Sequence, residues 1–133
     1  MSASLASVGA ITLFVEDSKE SKSFYERAFE LAPIYEDENS VVFKFDNTII
    51  NLLNDSEAGS LIAPAAVAAG DAGARFQFSI WVDDANAVCQ ELTARGVELL
   101  NGPIDRAWGM RTATFADPDG HVWELAEQLG EAA

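Results

Sequence analysis

A single histidine, His121, and a single cysteine, Cys89, leave this chain little nucleophilic or proton-transfer chemistry. A histidine acid or base, or a Ser–His or Cys–His pair, requires an imidazole beside the reacting group. His121 follows the segment Asp117-Pro118-Asp119-Gly120 and reads as a turn residue. Cys89 has no basic neighbour in sequence and reads as a buried structural thiol. No residue is therefore assigned a catalytic role, and recognition chemistry remains. Phe14, Trp81 and Trp108 can wall a cleft, and Asn51, Gln77, Arg111 and Glu124 can supply its polar contacts. An indole face can stack on a planar group or hold a cation, worth about 0.5–2 kcal/mol per contact. Glu124 in a partly apolar cleft can pair with a ligand ammonium or serve as a base. A hydrogen bond to Gln77 or Arg111 is the plainer alternative.

These residues converge only if the strands carrying them do, and an internal repeat supplies the strands. Ala10-Ile11-Thr12-Leu13-Phe14-Val15-Glu16-Asp17 lies over Gln77-Phe78-Ser79-Ile80-Trp81-Val82-Asp83-Asp84 at a constant offset. Each segment reads as a strand ending in an acid pair, whose last aspartate can cap a following helix. The helices are expected over 18–30 and 85–95, the second ended by Gly96. Three strands follow each helix, over 33–36, 41–45 and 48–53 in the first half and 97–100, 111–115 and 122–127 in the second. The sequence thus predicts an α+β fold of two tandem βαβββ modules, 8–53 and 75–128, within a single domain. The intervening 54–74, rich in Ala, Gly and Ser, reads as a linker with a short helix over 62–69.

Alternation along the strands assigns the faces. Phe76, Phe78, Ile80 and Val82 are expected in the core, with Gln77, Ser79 and Trp81 opposite. Ile11, Leu13 and Val15 are core, and Ala10, Thr12 and Phe14 opposite. Ile50, Leu52, Trp123 and Leu125 match as core, leaving Ile49, Asn51, Leu53, Val122, Glu124 and Ala126 on the far face. That far face mixes apolar walls with a few polar groups, as a ligand cleft does.

Composition bounds the partners. The 133 residues carry a formal net charge of −14, which argues against nucleic acid, whose phosphates require clustered Lys and Arg. The same field favours encounter with cations. Every apolar run is interrupted well short of the roughly 20 residues of a membrane span. One cysteine and an N-terminus without a basic, then apolar, export signal point to the cytoplasm.

The tandem modules, the FVED and WVDD strand ends, Ser23-Phe24-Tyr25 in the first helix and the ending Ala116-Asp117-Pro118-Asp119-Gly120-His121-Val122-Trp123-Glu124-Leu125 together resemble the vicinal-oxygen-chelate superfamily. This superfamily includes glyoxalase I, bleomycin-resistance proteins and extradiol dioxygenases. The resemblance covers about Val8 to Gln128 and implies a cupped mixed sheet with helices on its outer face. Metal-dependent members place ligands on the first and last strands of each module, and those places fall here on Ala10, Asn51, Gln77 and Glu124. Alanine has no donor atom and asparagine is an indifferent ligand, so no metal and no cofactor is expected. Arg106-Ala107-Trp108-Gly109-Met110-Arg111 looks like the Trp-Gly-x-Arg stretch of the bleomycin-resistance branch, in which acidic, metal-free dimers sequester a planar cationic antibiotic. That resemblance implies a homodimer that binds a small planar or cationic ligand. Two rivals stand beside it: a glyoxalase-like lyase, isomerase or dioxygenase with a degenerate metal site, and an interaction module whose far face is wholly covered in a dimer.

Overall fold

The structure, a computed structural model, describes residues 5–130. It divides into two compact units, Met1–Gly70 and Asp71–Ala133. The first holds β1 (Ala10–Val15), α1 (Ser18–Phe29), β2 (Tyr35–Glu36), β3 (Ser40–Lys44), β4 (Ile49–Asn54) and α2 (Asp55–Ile62). The second holds β5 (Gln77–Trp81), α3 (Ala85–Ala94), β6 (Leu99–Asp105), β7 (Met110–Ala116) and β8 (Val122–Gln128). Each unit is a βαβββ module with its own four-stranded mixed sheet, in the orders β1-β4-β3-β2 and β5-β8-β7-β6. In both, the first and last strands pair in parallel and the rest antiparallel.

The helix starts follow from the acid pairs. The Asp17 carboxylate accepts from the Lys19 N–H at 2.9 Å, and that of Asp84 from the Ala87 N–H at 3.0 Å. Each satisfies a backbone donor that the first helical turn leaves open. Helix α1 stops at Glu30, which adopts a left-handed φ of 54°.

Strand alternation then sorts the side chains. In the first unit Leu13, Val15, Ile50, Leu52, Val41 and Phe43 are buried against Phe24, Tyr25 and Ala28 of α1. Tyr25 stacks on Phe29, with ring centroids 5.6 Å apart. In the second unit Phe115, Trp123 and Leu125 form the core with Ala85, Cys89 and Leu92 of α3, and Phe78 stacks on Trp123 at 4.2 Å. Phe76, expected in that core, is exposed instead. It precedes the first paired residue of β5, so no sheet neighbour covers it, and its ring makes a T-shaped contact with Phe78 at 5.2 Å.

Two further expectations are corrected. The short helix between the modules spans Asp55–Ile62 and not 62–69, because Asp55 and Glu57 favour a helix start there and Pro64 forbids helical geometry at Ala63, whose ψ is 138°. Strand β6 runs to Asp105, well past Leu100, through two register shifts against β7. Such irregularities suit an edge strand that contains proline. Gly102 makes the passage feasible: its φ is 93°, and a Cβ there would run into the Thr112 carbonyl oxygen and Ala113.

Gly109 has a similar φ of 87° but open space around it. Gly109→Ala should therefore cost only the left-handed penalty of about 1–2 kcal/mol. Gly102→Ala adds a clash with β7 and should cost more, on the order of 3 kcal/mol. Urea unfolding of both variants checks the order, and equal losses would contradict this account of β6.

Candidate functional site

The face turned away from α3 is built from cross-strand rows. In the second unit Asn101, Thr114, Glu124 and Ser79 lie side by side on β6, β7, β8 and β5. The next row is Ile104, Thr112, Ala126 and Trp81. Gln77 lies opposite Val122, so Gln77, Trp81 and Glu124 share this face, as their parity requires.

Glu124 is half-buried, and its Oε1 accepts the Ser79 hydroxyl at 2.8 Å. This replaces the bond to Gln77 or Arg111 considered from sequence. The parallel register sets Ser79, not Gln77, opposite Glu124, and Arg111 is on the other side of the sheet. Arg111 pairs across β7 and β8 with Glu127 and shares its face with Ala113 and Phe115. It donates to Asp105 through Nε at 2.6 Å and Nη2 at 3.2 Å. Of the polar residues singled out in the second unit, Arg111 alone does not join Glu124. Trp108 belongs to the β6–β7 turn and is 71% exposed, and Trp81 is 75% exposed.

Sequence reading missed Arg106. Its Nε donates to Thr112 Oγ1 at 2.9 Å, on the Glu124 face. Its own backbone N–H donates to the Met110 carbonyl at 2.7 Å, and its carbonyl accepts from Gly109 N–H at 3.0 Å, so the turn holds it at both sides. Thr112 and Thr114 were legible from alternation, but the turn that brings Arg106 onto this face was not.

The first unit carries the matching face. Thr12, Asn51, Val42 and Tyr35 form one row, and Phe14, Leu53 and Ser40 the next. Asn51 Nδ2 makes a long 3.5 Å contact with Thr12 Oγ1, and Asn51 Oδ1 is buried without a hydrogen-bond partner.

His121 and Cys89 stand apart from both faces. His121 Nδ1 meets Asp117 Oδ2 at 2.7 Å, while Asp117 Oδ1 accepts the backbone N–H groups of Asp119 and His121. The pair ties the turn before β8. Cys89 borders a groove of about 600 Å³ between α3 and β6, on the opposite side of the sheet from Glu124. Burial raises its thiol pKa, which keeps it protonated and unreactive at neutral pH.

The family model of the Glyoxalase/Bleomycin resistance protein/Dioxygenase superfamily matches residues 7–125. The chain belongs to this superfamily. The uncharacterized protein YraH of Bacillus subtilis (strain 168) is 33% identical over 124 residues, covering 90% of this chain and 96% of YraH. Among solved structures, a glyoxalase/bleomycin resistance protein/dioxygenase from Nocardioides is similar with a TM-score of 0.87 at 20% identity, over 98% of this chain and 89% of that one. A glyoxalase-related enzyme from Fulvimarina pelagi gives 0.79 at 22% identity, over 93% and 89%. Lactoylglutathione lyase from Agrobacterium tumefaciens gives 0.72 at 19% identity, over 92% and 93%. These structural likenesses establish the fold.

A divalent metal is characteristic of many members of the superfamily, and the residues here do not suit one. Ala10 offers no donor atom, and one oxygen of Glu124 is already engaged by Ser79. Among the described residues no group of three or more His, Cys, Asp or Glu side chains is arranged to hold an ion. The site can orient a ligand through hydrogen bonds, charge and indole surfaces.

The hydrogen bond from Arg111 holds the Asp105 carboxyl below its ordinary value. A lowered folded-state pKa means the pair contributes above the unfolded value and is lost as pH falls through the folded one. Arg111→Met should return the Asp105 titration, followed by carboxylate ¹³C NMR, to near the ordinary 3.8. An unchanged titration would refute the pairing.

Proposed function

We propose that this protein binds a small planar or cationic molecule without a metal, resembling the bleomycin-resistance proteins, and carries out no bond chemistry. In the second unit Trp81 and Trp108 serve as walls and Gln77 and Glu124 as polar contacts; the first unit, taken by itself, carries Phe14 and Asn51 on its matching face. The observation that carries this reading is Glu124: half-buried, held through one oxygen by Ser79 at 2.8 Å, and the only carboxylate of its strand face. Ser79 fixes the carboxylate and leaves Oε2 for a ligand donor. A charge-assisted bond of this kind is about twice as strong as a neutral one. The exposed indole of Trp81, one row along on the same face, adds stacking and cation–π surface, and Trp108 offers a second exposed indole from the β6–β7 turn.

The net charge of −14 supports a cationic ligand by long-range attraction. The same reading takes the protein as cytoplasmic and as a homodimer, the latter supported by the exposed apolar residues Phe76 and Leu100. A monomeric mass in light scattering would count against the dimer.

Bleomycin and ethidium, titrated into the full chain, should quench tryptophan fluorescence saturably. Trp81→Ala and Glu124→Gln should each weaken binding about tenfold, near 1.4 kcal/mol. Excess EDTA should leave the isotherm unchanged. No saturable signal from any planar cation, or binding abolished by the chelator, would overturn the proposal.

A further inference from the structure

The chain has 22 acidic and 8 basic residues, and the cations Arg27, Lys44 and Arg75, for which no carboxylate pairing is seen among the described residues, are exposed to solvent. Lys19 and Lys22 meet Glu36, Arg95 meets Glu91, and Arg111 meets Asp105. Arg106 is half-buried, and among the described residues no carboxylate pairs with it. Its guanidinium is nonetheless held, by Nε on Thr112 Oγ1 at 2.9 Å, and its backbone is fixed in the β6–β7 turn. Thr112 itself is buried. A guanidinium anchored through Nε keeps both terminal nitrogens for a forked contact, and partial burial costs free energy that an anionic partner would offset.

Arg106 and Glu124 share one sheet face. Thr112, which anchors Arg106, and Ser79, which anchors Glu124, are separated by two residues along the strands and two strand spacings. At roughly 3.4 Å per residue and 4.8 Å per strand, their anchors lie about 12 Å apart. Among the described residues Arg106 and Glu124 form no ion pair with each other, and the uncharged Thr114 and Ala126 stand beside their anchors.

We propose that Arg106 receives a carboxylate of the ligand, so that the molecule bound on this face is an elongated amphoteric one, its cationic end on Glu124 and its acidic end on Arg106. This inference rests on the binding function proposed above and narrows its ligand class. Charges held on separate anchors favour a molecule that carries its two charges at opposite ends over an α-amino acid, whose charges are adjacent. Zero net charge also frees the ligand from the repulsion that a net charge of −14 exerts on a simple anion. Trp81, in the same row as Thr112, offers its indole near the path between the ends.

The test uses the full chain and three probes that share one ring system: 6-(aminomethyl)-2-naphthoate, 2-naphthylmethylamine and 2-naphthoate. Binding is followed by calorimetry and by the indole N–H signals in ¹H–¹⁵N NMR. The wild type should bind the amphoteric probe at least fivefold more tightly than the amine. Arg106→Gln should bring that ratio to about one, and Arg106→Lys should restore part of it. Because the wild-type ratio needs no variant, a folding defect in Arg106→Gln leaves the test intact. Equal wild-type affinities for the amphoteric probe and the amine, or a ratio that survives Arg106→Gln, overturn the role of Arg106 while the cation-binding reading stands. Failure of all three probes to bind overturns both.

Discussion

The parallel pairing of β5 with β8 is the constraint on which the second unit's chemistry depends. It sets Ser79 opposite Glu124 and Trp81 opposite Ala126, so that a polar row and an aromatic row face the same way. A slip of one residue would turn Gln77, Ser79 and Trp81 into the helix-facing core. What holds the register lies on the other face: Phe78 stacked on Trp123 at 4.2 Å, and Ile80 opposite the buried Leu125. Apolar packing beneath the sheet thus fixes polar geometry above it. The order of magnitude favours this direction of control, since burying one large apolar side chain stabilises by about 1.5–3 kcal/mol and a net hydrogen bond by about 1.

The repeat keeps architecture constant while the chemistry of its two copies differs. Thr12, Asn51, Val42 and Tyr35 occupy in the first unit the row held by Ser79, Glu124, Thr114 and Asn101 in the second. One row carries a neutral amide with an unsatisfied atom, the other a carboxylate with a bound hydroxyl. Membership in the superfamily explains the shared frame. It does not by itself assign a reaction, because the side chains at the family's metal positions are local choices on a common scaffold.

Charge is placed in two different ways. Lys19, Lys22, Arg95 and Arg111 sit beside acids near the surface, where ion pairs contribute little to stability. Arg106 and Glu124 are held otherwise: each is half-buried, and each is bonded to a neutral hydroxyl. Hydroxyl partners orient a charge without neutralising it. That leaves the charge available to whatever approaches the face.

The sequence alone determined the two βαβββ modules, the aspartate caps and the faces of the first and last strands of each module, because those features repeat with local periods of 2 and 3.6 residues; the face of Arg111 on β7 it did not. Glu124, Gln77 and Trp81 were assigned together on that ground, and the Asp-Pro-Asp-Gly turn was enough to set His121 apart from them, where it meets Asp117. Tertiary structure alone decided that Glu124 meets Ser79, that β6 extends to Asp105 with Arg111 bound there, and that Arg106 rests on Thr112. Period two says which way a side chain points and never who stands across from it. The neighbour is set by inter-strand register, bulges and turn geometry, which involve residues distant in sequence.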